Sequence, residues 1–197
     1  MSVVMGFDTS LTITGVAQID LGVGADGQIE PVQWLWARPR TTVVEDGTVL
    51  TTRRRQRQML REILALVPET FDLAVVEGAA MSYGKHSGLA DERAGLRWML
   101  IDQLLPRGPV VLASPKTRTI LATDNGNADK ASVHAAALQL FPAAEIPATG
   151  AGRYDVADAA VLAAAGAHRL GMPWPVPMSK KQTLAHSKVP WPTETAA

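Results

Sequence analysis

Cysteine is absent from all 197 residues. A disulfide framework and thiolate metal sites are thereby excluded, and a reducing, cytoplasmic setting is the expectation. Also missing is any apolar run near the ~18 residues that a membrane-spanning helix needs, so no membrane association is expected. The opening MSVVMGFD has no basic region and reaches an acid at position 8, unlike a signal or transit peptide. Charge of one sign is not in excess: 19 Lys and Arg stand against 19 Asp and Glu. A protein that held nucleic acid by bulk charge would show a basic surplus. The distribution matters more. RRRQR at 53–57 with Arg61 forms one basic cluster, Lys116, Arg118 and Lys130 a second zone, and Lys180, Lys181 and Lys188 a third. If acids gather around metal ions elsewhere, the remaining surface is more basic than the total.

What is present suits one α/β domain, since 47% of the residues are apolar and a core of ordinary size is available. Short apolar runs at 3–7, 13–19, 32–37, 71–77 and 109–113 read as strands. In the third, Val32, Trp34 and Trp36 alternate to one side. GVGADG at 22–27 matches G-x-G-x-x-G, but a strand follows it where the dinucleotide motif requires a helix, so a hairpin turn is expected. Helices are expected over 48–67, with Met59, Ile63 and Val67 inward and arginines on the other faces, and over 88–105, with Leu89, Leu96, Leu100 and Leu104 inward. Ser114-Pro115 is a helix start, and helices at 129–141 and from 153 onward follow. Three strands in a meander, then strands alternating with helices, describe a five-stranded mixed sheet flanked by helices. This domain spans 1–170. Residues 171–197 read as a proline-rich basic tail with no regular structure beyond a turn or two.

Four acids stand out. Asp8 and Glu77 each end an apolar strand; on neighbouring parallel strands both would emerge at one sheet edge, where active sites of open sheets lie. Asp155 and Asp158 lie three apart at the start of a helix otherwise made of Ala, Val and Leu, and so share a face. Capping and the helix dipole, worth around 1 kcal/mol, explain one of them. Two buried like charges that close stay ionised together only with a cation between them. With no cysteine and no His-x-x-x-His pair, the donor set suits Mg²⁺ or Mn²⁺ and not zinc. Two such ions roughly 4 Å apart can activate a water and stabilise a leaving oxygen, so metal-assisted phosphodiester hydrolysis is the expected chemistry. The four histidines are scattered and are read as structural; His168 suits the end of its helix.

Several stretches together resemble one family, the RuvC crossover junction endodeoxyribonucleases, over roughly 3–170. GFDTSLTITGVA is similar to the family's first strand and turn, putting Asp8, Thr14 and Gly15 on motif positions; DLAVVEG is similar to the strand that delivers a catalytic glutamate, Glu77. SPKTRTILATDNGNADKASV resembles the stretch running from a proline, Pro115, to an Asn-Gly-x-Ala-x-Lys motif that here is Asn125, Gly126, Ala128 and Lys130. YDVADAAVLAAAGAHRL matches most closely and supplies Asp155 and Asp158. The resemblance implies an RNase H-like fold and a homodimeric Holliday junction resolvase. It implies two Mg²⁺ per site, symmetric nicking of four-way DNA junctions, and branch-migration proteins as partners. It makes Asp8, Glu77, Asp155 and Asp158 metal ligands and Lys130 a phosphate contact. Three departures stand out. Thr9-Ser10 replaces Pro-Gly. Thr119 stands where a second basic residue is common, which Lys116 or Arg118 would replace. Ala80 aligns with an aromatic wedge, leaving Tyr83 as the nearest ring able to stack on a base. The carboxylates alone leave open another RNase H-like nuclease acting on branched DNA or RNA–DNA hybrids. GFDTSLTITGVA is also similar to the phosphate loop of actin-like ATPases, which need a second lobe that this length does not hold. A non-catalytic DNA-binding module would leave the four acids unexplained.

Overall fold

The computed structural model describes residues 1–79 and 89–193. Its centre is one five-stranded sheet in the order β3-β2-β1-β4-β5, built from β1 (Ser2–Asp8), β2 (Gly15–Val23), β3 (Ile29–Ala37), β4 (Leu73–Glu77) and β5 (Val110–Ala113). β1, β2 and β3 pair antiparallel, while β4 runs parallel to both β1 and β5. The glycines between β2 and β3 make the expected hairpin: Gly24 N–H donates to Gln28 O at 2.8 Å, and Gly27 takes φ +79°.

Both sheet faces are covered, which explains why β1 and β4 are apolar without alternation. On one face Met5, Phe7, Val16, Ala74 and Val76 pack with α1 (Val49–Leu64) and α2 (Ala90–Leu104), through Met59, Ile63, Leu96, Leu100 and Leu104. On the other, Val4, Ala17, Ile19, Leu73 and Val75 meet α3 (Pro115–Thr123), α4 (Lys130–Leu140) and α5 (Arg153–Arg169). Every residue of α5 from Val156 to Ala167 is buried, as expected of a helix apolar all round. Its alanines allow close approach, and glycines on both the sheet and the helix extend it. A Cβ on Gly6 would collide with the backbone of Ala159 and Ala163, and one on Gly166 would meet Val4 at 2.8 Å.

Four expectations change. Val32 does not share a face with Trp34: the β2–β3 pairing passes from Asp20↔Gln33 to Leu21↔Pro31, so Val32 is the extra residue of a bulge and is exposed. Leu89 sits at φ 66° before α2 and is exposed rather than inward. In the first basic cluster Arg55 is buried and ion-paired to Glu45, not solvated. The chain after Gly171 is not irregular, since it carries α6 (Lys180–Ser187), opened by a capping box between Ser179 and Gln182. Gln182 Nε2 donates to Leu121 O at 2.9 Å, satisfying a carbonyl near the end of α3, and Met172, Trp174 and Val189 join the core. Among the described residues, no helix is long and apolar enough to cross a membrane.

Candidate active site

Sheet register delivers the first two acids. Phe7 pairs with Val76 across the parallel β1–β4 ladder, so Asp8 and Glu77, one step on, leave the sheet side by side. Glu77 pairs on its other side with Ala113 of β5. There the chain turns: Ser114 caps α3 by accepting from Thr117 N–H, Pro115 opens the helix, and the first turn carries Arg118 over Glu77. The other two acids arrive on α5. Asp8 pairs with Gly15, and a Cβ on Gly15 would fall on the Asp155 carbonyl and within 2.8 Å of Val156 N. The missing side chain lets α5 begin directly above the end of β1. Buried Thr14 closes the intervening loop, donating to Ser10 O at 2.9 Å and accepting from Ser10 N–H at 3.1 Å.

The acids do not sit in one environment. Asp158 is 1% exposed; its Oδ1 lies 2.9 Å from Arg118 Nη1, and its Oδ2 has no hydrogen-bond partner among the described residues. Burial pushes this carboxyl up to about 7 despite the neighbouring guanidinium, with the charge of Glu77 adding to the rise. Asp8 is raised well above the ordinary range, chiefly by burial, then by the charges of Glu77 and Asp158. Arg118 donates to Glu77 Oε1 through Nε at 3.0 Å and Nη2 at 2.8 Å. Burial opposes its charge, but Asp158 and then Glu77 outweigh that, and its pKa is raised. Asp155 is partly exposed, with Lys130 Nζ 3.7 Å from its Oδ1. Asp8, Glu77, Asp155, Arg118 and Lys130 line a cleft of about 380 Å³, and Asp158 lies buried behind it.

The expected residues separate accordingly. The structure brings Asp8, Glu77, Asp155, Asp158 and Lys130 to one edge of the sheet. Arg118 is there too, buried and ion-paired between Glu77 and Asp158. Lys116, two residues earlier, points away from the cleft into a separate groove with Lys181 and Lys188. Tyr83 and Ala80 lie outside the described residues. Two cleft-lining residues escaped the sequence reading, Arg93 and Arg97 of α2. Their four-residue spacing puts them on one helix face, but nothing local distinguishes them from ordinary surface arginines. His134, His168 and His186 bond the carbonyls of Pro147, Met172 and Ala165 away from the acids.

Among the described residues, no three Asp, Glu or His side chains form a ready metal shell. The donor chemistry nevertheless fits a hard divalent cation: carboxylates from three elements, a buried Asp158 oxygen without a partner among the described residues, and two carboxyls pushed toward protonation chiefly by burial. Arg118 bridges Glu77 and Asp158.

No family model matches the chain, and no curated protein sequence does. Solved structures do. The Thermus thermophilus RuvC structure aligns with a TM-score of 0.53 at 18% identity, covering 88% of this chain and 99% of that one. T. thermophilus RuvC in complex with Holliday junction substrate aligns with a TM-score of 0.53 at 20% identity, over 83% of this chain and 91% of that one. The yeast mitochondrial Holliday junction resolvase reaches 0.54 at 13% identity, over 93% of this chain and 83% of that one. The strand order, the helices on both faces and these superpositions agree: the chain has the RNase H-like fold of the RuvC structures.

Proposed function

We propose that this protein is a divalent-metal-dependent endonuclease that hydrolyses phosphodiester bonds in branched DNA, with the four-way junction as its substrate. The observation that carries the reading is the convergence of Asp8, Glu77, Asp155 and Asp158, from β1, β4 and α5, on one end of the sheet. The fold it shares with a RuvC solved with Holliday junction substrate supports junctions as the substrate.

In this mechanism Asp8, Glu77, Asp155 and Asp158 would hold Mg²⁺, for which Mn²⁺ would substitute. When bound, such ions supply an activated water and stabilise the leaving oxygen. The remaining work belongs to the chain. Lys130, at the rim beside Asp155, takes a phosphate oxygen of the strand to be cut. Arg93 and Arg97 line the cleft and offer further phosphate contacts. These cations offset the repulsion that acids alone would exert on a phosphodiester. Lys116, Lys181 and Lys188, in their separate groove, hold the duplex arm away from the reacting phosphate. Symmetric incision of a junction needs two such clefts, so the working form is a homodimer.

The test is gel cleavage of a synthetic four-way junction beside duplex, flap and RNA–DNA hybrid, with Mg²⁺ or with chelator. Paired, metal-dependent nicks in the junction are expected, with Glu77→Gln binding the junction but leaving it uncut. Equal cutting of the hybrid, or full activity of Glu77→Gln, would refute the reading.

A further inference from the structure

A cation is needed among these carboxylates, and the chain supplies one itself. Arg118 gives two N–H groups to Glu77 Oε1, at 3.0 and 2.8 Å, and places Nη1 2.9 Å from Asp158 Oδ1. Its side chain is 8% exposed, so this is no surface arginine folded over a nearby acid. The attachment is equally fixed, because Arg118 N–H donates to the carbonyl of the cap residue Ser114 in the first turn of α3. Each acid commits one oxygen to the guanidinium, and Asp158 Oδ2 is left without a partner among the described residues.

We propose that Arg118 is a resident counter-cation that competes with divalent metal for Glu77 and Asp158, so that metal loads only as the guanidinium leaves them. This rests on the metal-site reading given above. Three physical points support it. A guanidinium and a divalent ion on the same two carboxylates repel each other strongly where water is scarce. Without a cation, two buried carboxylates lose their charge or push apart. An arginine cannot be neutralised by pH as a lysine or histidine can, so it stays a cation between Glu77 and Asp158 at every ordinary pH and yields only by moving. Room to move exists, because Arg118 lines the open cleft of about 380 Å³. The metal-free protein thus keeps its acids paired, and its metal affinity is set below what the same acids would have without the arginine.

The test is calorimetric titration of Mn²⁺ into the full-length, DNA-free protein, as wild type, Arg118→Gln and Glu77→Gln. Arg118→Gln should bind Mn²⁺ at least about tenfold more tightly than wild type, as a competing cation requires, and Glu77→Gln should bind it weakly or not at all. Equal or weaker binding by Arg118→Gln overturns the proposal while leaving the metal site intact. Absence of Mn²⁺ binding in both wild type and Arg118→Gln overturns the metal-site reading itself. Should Arg118→Gln fail to fold, the wild-type protein answers by nuclear magnetic resonance. The Arg118 Nε–H signal, assigned with Arg118→Lys, should be protected from exchange without metal and should shift or vanish at saturating Mg²⁺. A signal unmoved by Mg²⁺ refutes the competition.

Discussion

Gly15→Ala is the substitution that most directly couples the packing of α5 to the chemistry of the cleft. The added Cβ would fall on the carbonyl oxygen of Asp155 and lie 2.8 Å from Val156 N, whereas real Cβ atoms essentially never approach within 3.0 Å. Both obstacles are backbone, so no side-chain rotation relieves them. The start of α5 must retreat by on the order of 1 Å, and overpacking of this kind costs about 1–3 kcal/mol. The upper end is expected, because α5 lies buried along its length on the strands that would push it away. For a chain of this size that lowers Tm by roughly 6–12 °C. The retreat also carries Asp155 and Asp158 away from Asp8, and a displacement near 1 Å at a reacting centre costs about 10²-fold in rate. Gly22→Ala is the control in the same strand. Its Cβ would meet the Cγ2 of Val32 at 2.6 Å, and Val32 is an exposed bulge residue free to rotate. It should cost less than about 1 kcal/mol, within the range of ordinary surface changes and small adjustments. Thermal melting and junction cleavage of the two variants provide the comparison. If Gly15→Ala melts and cuts like Gly22→Ala, α5 is not held by this contact and the account of how Asp155 and Asp158 are placed is wrong.

Two further outcomes follow from the buried polar groups. In chelator, Asp158→Asn should flatten the pH dependence of stability. The folded carboxyl titrates at about 7 against an ordinary 3.8, so its contribution is full below the lower value and lost as pH rises through the higher one. The limit is on the order of 4 kcal/mol, a value that already contains the opposing pull of Arg118; urea unfolding at pH 5 and pH 8 measures it, and an undiminished slope in the variant would place the titration elsewhere. Gln182→Ala removes both the reciprocal cap of α6 and the donor to Leu121 O, leaving a buried carbonyl unpaired. It should cost about 1–3 kcal/mol and open the chain after Gly171 to proteolysis. Wild-type stability and protease resistance would show that α6 does not depend on this residue.

The residues that were legible in the sequence, and those that were not, divide along a physical line. Asp8 and Glu77 could be read because an acid that ends an apolar strand conflicts with its own neighbourhood, and the conflict is local. Asp155 and Asp158 could be read for the same reason, on a helix whose other residues are nearly all buried. What answers that conflict is not local. Arg118 sits in the first turn of a short helix whose sequence, PKTRTILAT, presents its charges as ordinary surface residues. Only the pairing of Glu77 with Ala113 and the sharp entry into α3 bring its guanidinium between Glu77 and the buried Asp158. Arg93 and Arg97 were hidden likewise by lying across the cleft on α2. The bulge at Val32 depends on pairing with β2, and its one local mark is the neighbouring Pro31, which lies just before the run read as a strand. The last helix is different, because its Ser-x-x-Gln box at 179–182 was visible and was masked only by the flanking prolines. A charged residue out of place therefore marks a site from sequence, whereas its counter-charge is chosen by topology. For this protein the counter-charge beside Glu77 and Asp158 is an arginine, and under the proposal made above the affinity of the acids for metal would depend on how readily they exchange it.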